Sequence, residues 1–484
     1  MTKDRFALSS RSWVHLLLLL FMAVGLLLRV GATIKLPNMD WPDEIFQTQE
    51  PAHRLAYGYG VVTWEWRWGV RSWVFPAFLA GVMRATDWIG PGSKGYQLGI
   101  AIVLSLISLT TVWFGFAWAR RASGMEAAII AAGACAIWYE LIYYGPKTLT
   151  EVVAGHALLP GLYLGQYGDM FQEKKRMFLA GVFCGLAISL RMQLAPAVGF
   201  AVLYFCYPNW RRRALPLAAG VLLPLLSFGL VDMVTWSYPF HSYIYYYFAD
   251  VKRAIVVPNR FRLEPWHWFL DILLLHLGPV AFLVFMGIRR SPFLGWVALI
   301  LLASHSLIAH KELRWIYPLM PLEITLAALG VMELAPVLKG WRKPPFSPGM
   351  IAAGGLAFLA LNSCILAPEF DWSRMAGPLV AFDRLSQDPT LCGVGVYRIG
   401  WWNIGGYAHL HKNVPIIILD QPPEQQGTSQ GFNALVTEGK LTDTVDGFEL
   451  TGCWHNICVY RRPGPCGAVP ERNEINSMLR RLRR

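Results

Sequence analysis

The chain has 484 residues, 55% of them hydrophobic and 15% charged, with a mean hydropathy of +0.38, which excludes ordinary soluble domains, a disordered chain, a collagen-like fibre and a small disulfide scaffold. Its 43 Lys and Arg against 31 Asp and Glu leave a net charge of +12. The basic residues gather in short clusters between apolar runs, at Arg120-Arg121, Lys174-Lys175-Arg176, Arg211-Arg212-Arg213, Arg289-Arg290 and 339–343, which is the positive-inside pattern of a membrane protein and not a nucleic-acid footprint.

The polar, basic start at 1–11 leads into an apolar stretch at 14–31 that has a signal-like flank but no small-x-small cleavage site, as expected of an uncleaved anchor. Further spans are expected at 72–89, 96–119, 125–143, 148–168, 177–194, 196–208, 214–235, 268–288, 293–309, 316–336 and 349–367, about eleven or twelve crossings in all. With the basic clusters cytoplasmic, hairpins counted from Lys174 onward alternate consistently and place 236–267, 310–314 and everything after 367 outside. Counted from a cytoplasmic N-terminus, 72–89 and 96–119 cannot both cross if Arg120-Arg121 is inside. One early segment is then re-entrant, a half-span, or not a span.

The first external loop, 32–71, reads Asn38-Met39-Asp40-Trp41-Pro42-Asp43-Glu44-Ile45-Phe46-Gln47-Thr48-Gln49-Glu50-Pro51-Ala52-His53-Arg54 and sets four carboxylates within eleven residues of a membrane exit. Asp43-Glu44 after a proline fits the first turn of a helix, where the dipole favours acidic groups, so an ordinary capped interfacial helix is one reading. The other is a carboxylate that accepts a proton from a substrate hydroxyl at the membrane surface. Trp64, Glu65, Trp66, Arg67, Trp68, Arg71 and Trp73 follow; tryptophans belong to every membrane interface, and Trp-Glu-Trp-Arg-Trp also resembles a sugar-stacking surface. Ionisable residues inside apolar segments, at Lys147, Glu151, His156, Arg191 and Asp232, each require a cavity or a partner. Lys147 and Glu151 are spaced to pair with each other.

A second external stretch, 236–268, is dense in Tyr, Trp, His and Arg and includes His241, Arg260, Arg262 and Pro265-Trp266-His267-Trp268. Interfacial anchoring accounts for the rings but less well for cations on the side opposite the basic clusters, which would suit a lipid-linked anion. A third stretch, His310-Lys311-Glu312-Leu313-Arg314-Trp315, lies between two spans. On a helix His310 and Arg314 share a face and both could reach one phosphate; snorkelling at a span end is the bland alternative.

After residue 367 the apolar runs shorten to strand length, at 393–397, 414–419 and 457–460, and polar turns separate them. The residues 368–484 are therefore expected to form a small soluble α+β domain outside the membrane. It holds Cys392, Cys453, Cys458 and Cys466, either as disulfides or as free thiols, in a spacing that fits no zinc pattern.

Asp43-Glu44 with Glu50-Pro51-Ala52-His53-Arg54, Tyr57-Gly58-Tyr59-Gly60, Thr63-Trp64-Glu65-Trp66, Arg71-Ser72, Pro265-Trp266-His267-Trp268 and His310-Lys311-Glu312-x-Arg314 resemble, in order and spacing over 38–322, the polyprenyl-phosphate-mannose-dependent mannosyltransferases that build GPI anchors and lipid-linked N-glycans. The resemblance implies a GT-C fold. That is an all-α polytopic membrane protein over 1–367 with the small α+β domain appended, and an active site on the non-cytoplasmic face. It also implies an inverting transfer of mannose from a polyprenyl-phosphate donor to a hydroxyl of a glycolipid or glycan, without a metal or other cofactor. By position Asp43 becomes the general base, with Glu44 its neighbour and Asp40 a rival. His310, Lys311, Arg314, His267 and Arg262 fall to the donor phosphate and lipid, and Trp64, Glu65, Trp66, Trp266 and His53 to sugar or acceptor. Two departures stand out: Trp315 occupies the position of the family's usual Phe, and Lys147-Thr148-Leu149-Thr150-Glu151 stands where the family has an Arg-Thr-Leu-Ser-Asn-like stretch, a Lys replacing a forked Arg.

The partners expected are thus the lipid-linked donor, the acceptor and membrane lipids, and no nucleic acid. The chain's length and the lack of eukaryotic-style tails point to a bacterial inner membrane with a periplasmic site; in a eukaryote the site would face the endoplasmic reticulum lumen. A transporter or flippase of a lipid-linked saccharide is the rival class. Against it, the polar residues cluster at one membrane face and no paired halves with matching broken helices occur.

Overall fold

Each apolar stretch expected to cross the membrane coincides with helix in the computed structural model, which describes residues 2–168, 171–252, 263–341, 347–422, 429–441, 445, 447–468 and 473–481. Among these residues, five helices are long and apolar enough to cross: Trp13–Lys35, Lys94–Ser123, Trp210–Thr235, Leu313–Leu334 and Pro348–Glu369. The straight span expected at 268–288 is instead two helices, Trp268–Leu277 and Val280–Gly287, bent by 109°. Gly278, with φ +50°, and Pro279 stand at the elbow, and the first supplies a backbone conformation that other residues rarely adopt. The remaining stretches are shorter, with Met125–Ile137, Met192–Cys206 and Pro292–Ser306 as apolar helices and Thr150–Gln166 and Glu173–Leu190 bearing acidic first turns. The chain is a multi-pass integral membrane protein.

The conflict over the early segments is settled by length. Val74–Thr86 has 13 residues, about 20 Å of helix, well short of a ~30 Å hydrocarbon layer. Its Phe75, Leu79, Ala80 and Met83 are buried, in the same compact unit as the 32–71 loop. Lys94–Ser123, at 30 residues, is long and apolar enough to cross and ends at Arg120-Arg121.

The chain divides into two compact units, one of residues 1–32, 102–230 and 247–370, the other of 33–101, 231–246 and 371–484. In the first, all helical, small residues set the packing. A Cβ on Gly287 would overlap the carbonyl oxygen of Leu326 and one on Gly330 that of Leu283, so Val280–Gly287 and Met320–Trp341 touch backbone to backbone, as close helix pairs do without a hydrophobic driving force. The Ala-rich helix Met125–Ile137 breaks at Trp138, whose ψ is 127°. The break exposes carbonyls that water cannot reach. Arg29, fully buried, donates to Cys135 O at 2.9 Å and Ala136 O at 3.1 Å, and the Ser363 hydroxyl donates to Ile137 O at 3.0 Å and accepts from Tyr139 N at 2.9 Å.

The second unit is built on a five-stranded sheet. Strands β1 (Val394–Tyr397), β2 (Ile416–Leu419), β3 (Ala434–Glu438), β4 (Glu449–Trp454) and β5 (Ile457–Arg461) lie in the order β2-β1-β3-β5-β4, with β1, β2 and β3 parallel and β5 antiparallel to both β3 and β4. One face packs Val394, Val396, Ile416, Ile418 and Val436 against Met39, Ile45, Phe46 and Val61 of the N-terminal loop; the other packs Ile417, Leu419, Leu435 and Tyr460 against Phe432 and Phe448. The domain expected at 368–484 therefore does not stand alone: the loop 32–71 supplies part of its core.

The four cysteines of this unit pair as Cys392–Cys466 and Cys453–Cys458, separated by 74 and 5 residues. Loop-closure entropy makes the first worth about 4 kcal/mol and the second about 2 kcal/mol. Cys392→Ser should therefore lower the temperature at which this unit becomes protease-sensitive by more than Cys453→Ser does, and reductant should erase the difference.

Candidate functional site

The His310–Arg314 segment does not form the α-helix that would align its ends. The chain takes a 3-10 helix over Leu313–Leu319, with Pro318 inside it, entered from extended backbone at Glu312. His310 instead bridges to Leu263 as a strand-like contact. The two ends meet through Glu312: His310 Nε2 donates to Oε1 at 3.0 Å, and Arg314 donates to Oε2 through Nε at 2.7 Å and lies 2.5 Å from it through Nη2. Burial works to raise the Glu312 pKa, but the Arg314 charge and the His310 hydrogen bond outweigh it and hold the carboxyl at about 2.

Arg314 is 3% exposed, and its Nη1 donates to Glu151 Oε1 at 2.7 Å. Glu151, expected to pair with Lys147, gives its carboxylate to Arg314 and, at 3.6 Å, to Arg191 Nε. Lys147 lies 5.0 Å over the Tyr143 ring. Farther along both elements His156 Nε2 meets the Tyr317 hydroxyl at 2.7 Å, so Thr150–Gln166 and the 3-10 helix are joined twice. Lys311 donates to Ile308 O at 2.5 Å and Glu264 O at 3.1 Å, and burial pushes its pKa down. Buried as they are, these charges are held by partners that satisfy them, as apolar surroundings require.

His267, expected at the donor, and Trp266, expected at the sugar or acceptor, have these surroundings. His267 Nδ1 donates to Asp271 Oδ2 at 2.6 Å, and Trp266 is 71% exposed. Arg262 lies outside the described residues. One pair was not singled out from the sequence: Glu140 accepts from Trp138 Nε1 and His276 Nδ1, each at 2.9 Å.

In the second unit, Asp43 stands at the start not of an α-helix but of a π-helical turn, Glu44–Gln49, that runs into the helix Glu50–Tyr57. Such turns are rare and recur at functional sites. Glu44, buried, accepts from Asp40 N at 2.6 Å; Asp40, also buried, lies 3.7 Å from Arg374 Nη1, and that guanidinium covers the Trp41 ring. Asp43 is half-buried. Of the residues expected to hold sugar, Glu65 accepts from Arg71 Nη2 at 2.6 Å and Gln47 Nε2 at 3.2 Å. Trp66 is buried, donates to Phe46 O at 3.1 Å and packs on Trp73, which makes it a core residue; Trp64 rests edge-on against Trp68.

Glu50 and His53 tie this loop to the C-terminal residues. Glu50 accepts from Val61 N at 2.5 Å and Ala408 N at 2.8 Å, and burial, against those bonds, pushes its pKa up to about 7. His53 Nδ1 meets Tyr59 O at 2.9 Å and Nε2 meets His411 Nδ1 at 3.1 Å; burial pushes its pKa down to about 4.

Two outcomes follow from this wiring. Arg314→Leu leaves two buried carboxylates without their main partner and should lower stability by about 3–5 kcal/mol, seen as a drop in melting temperature that adding Glu151→Gln and Glu312→Gln reduces. His53 is neutral in the fold and takes up a proton on unfolding, so its contribution is complete above pH 6.5 and lost as pH falls toward 4. Glu50 keeps its proton in the fold, so its contribution is complete below pH 4.5 and lost as pH rises through 7. On acidification from pH 6.5 to 4.5, His53→Phe should therefore lose less stability than the wild type and Glu50→Gln more, as thermal melts across that range would record.

Comparison with known proteins places this geometry. GPI mannosyltransferase 3 of Yarrowia lipolytica is 25% identical over 423 residues, 82% of this chain and 76% of that one. GPI alpha-1,2-mannosyltransferase 3 of Mus musculus is 23% identical over 411 residues, 80% of this chain and 71% of that one. The crystal structure of ArnT from Cupriavidus metallidurans bound to undecaprenyl phosphate superposes with a TM-score of 0.63 at 12% identity, covering 93% of this chain and 98% of that one, so the two share the GT-C fold. The profile of the Alg9-like mannosyltransferase family matches residues 12–384, across both the carboxylate loop and the His-Lys-Glu-x-Arg segment, and the chain therefore belongs to the Alg9-like mannosyltransferase family of membrane glycosyltransferases.

Proposed function

We propose that the protein moves mannose from a polyprenyl-phosphate donor to a hydroxyl of a glycolipid, with inversion at the sugar carbon and on the non-cytoplasmic side of the membrane. The observation that carries this reading is the gathering of Glu151, Arg191, His310, Lys311, Glu312 and Arg314 in the largely apolar helical unit. Charges are costly there and are kept where they handle a charged ligand. A lipid phosphate suits them, because it enters with an apolar tail and leaves with more negative charge than it brought. The names of the relatives add mannose and a glycolipid of the GPI type. Two disulfides in the second unit agree with a compartment outside the cytoplasm.

The reaction asks for a base on the acceptor oxygen and cations on the leaving group, and little else. The acceptor hydroxyl bonds to C1 of mannose and its proton passes to a carboxylate. The C1–O bond to phosphate breaks, its electron pair stays on the phosphate oxygen, and polyprenyl phosphate leaves. Among the loop carboxylates we assign the base to Asp43. Asp43 stands at the start of the π-helical turn and is partly exposed, at the position that the family resemblance gives to the base.

Purified protein in detergent, given a short-chain polyprenyl-phosphate mannose and a panel of glycolipid acceptors, is expected to release polyprenyl phosphate and form an α-mannoside. Turnover without a membrane excludes pure transport. Asp43→Asn should lower turnover by at least about 100-fold, as loss of a general base does, while donor binding and melting temperature stay near wild type. Full activity in that variant would remove Asp43 from the role.

A further inference from the structure

The buried arginines of the helical unit are not alike. Arg29 donates three hydrogen bonds to the carbonyls of Gly25, Cys135 and Ala136, and Arg176 three to those of Leu164, Gly165 and Tyr167. Arg314 spends its fork on Glu151 and Glu312. Arg191 is 7% exposed, yet its guanidinium makes no hydrogen bond with any described residue; the ion pair it makes among them is with Glu151, at 3.6 Å from Nε. The side chain is thus largely buried, its nitrogens keep some access, and its fork is not committed to any described group. Buried donors are nearly always paired, and one left open inside a structure calls for a ligand.

Arg191 stands at the junction of two helices: it is the extended residue, with φ −146° and ψ 98°, that ends the helix Glu173–Leu190, and the short 3-10 turn Met192–Leu194 follows.

We propose that Arg191 is a direct ligand of the donor's phosphate, and that Arg314, already spent on two carboxylates, is a positioning residue that anchors Glu151, which in turn restrains Arg191. This rests on the polyprenyl-phosphate reading of the donor and moves the main phosphate contact away from Arg314. A sugar phosphodiester carries one negative charge; when its bond to C1 breaks, the departing phosphate carries a second. A guanidinium that has not yet made its hydrogen bonds gains most at that moment, because its N–H fork matches two phosphate oxygens and strengthens with the charge that develops.

Binding of undecaprenyl phosphate to the full-length protein in detergent, with uncharged undecaprenol as the control lipid, tests this. The wild type is expected to prefer the phosphate. Arg191→Gln should weaken phosphate binding by about 10- to 100-fold while undecaprenol binding and melting temperature hold, and Arg191→Lys, which keeps the charge and loses the fork, should fall between. Arg314→Gln should instead lower the melting temperature. If Arg191→Gln binds undecaprenyl phosphate as tightly as the wild type, the proposal is overturned and the donor reading stands. If the wild type does not distinguish the two lipids, the donor reading falls and takes the proposal with it. If both Arg191 variants lose as much melting temperature as Arg314→Gln, and their folded fraction keeps its phosphate affinity, Arg191 is a structural ion.

Discussion

A charge placed among apolar helices cannot be left to itself, because desolvating it costs more than any single contact returns. Much of the helical unit is arranged around that constraint. Arg29 closes the carbonyls left open where the Met125–Ile137 helix breaks, and Arg176 does the same for the end of Thr150–Gln166. Glu312 gathers the two ends of the His310–Arg314 segment. Arg191, which ends the helix Glu173–Leu190, meets Glu151 only at 3.6 Å, and the phosphate role proposed for it rests on that difference from the other arginines.

The second unit solves a different problem. Its parallel strands are buried on both faces, and a sheet of that kind needs cover from elsewhere in the chain. Part of the cover is the stretch that follows the first membrane helix. Met39, Ile45, Phe46 and Val61 belong to the same core as Val394, Ile416 and Val436. The turn that presents Asp43 is therefore shaped by the sheet, with Glu50 and His53 as its fasteners.

Much of this was legible in the sequence, and the reasons for the exceptions are local. The apolar stretches read as helices because twenty uninterrupted apolar residues have few other uses, and β1, β2 and β5 read as strands because both-face burial makes them continuous apolar runs. β4, Glu-Leu-Thr-Gly-Cys-Trp, lies at the sheet edge with its side chains mostly exposed, so it shows neither a run nor an alternation. The elbow at 278–279 was hidden because a bend keeps the composition of a straight span. His310 and Arg314 were expected on one helical face, but the extended backbone at Glu312 separates them, and no local pattern marks that break. The Glu151 partner was misassigned for a related reason: a spacing of four names the near neighbour Lys147, but Arg314 is 163 residues away in sequence and no local pattern could name it. Arg29 sat inside a stretch read as an anchor, where a single arginine passes for a flank.

The fastening of residue 50 to residue 408 orders events during synthesis. The stretch bearing Asp43 leaves the ribosome early, long before the strands that enclose its hydrophobic side chains exist, and Ala408 must reach the same compartment before the Glu50 carboxylate finds its second amide. A nascent chain halted anywhere ahead of the sheet would lack the strands that cover this loop, so a stretch translated early is among the last to acquire its shape.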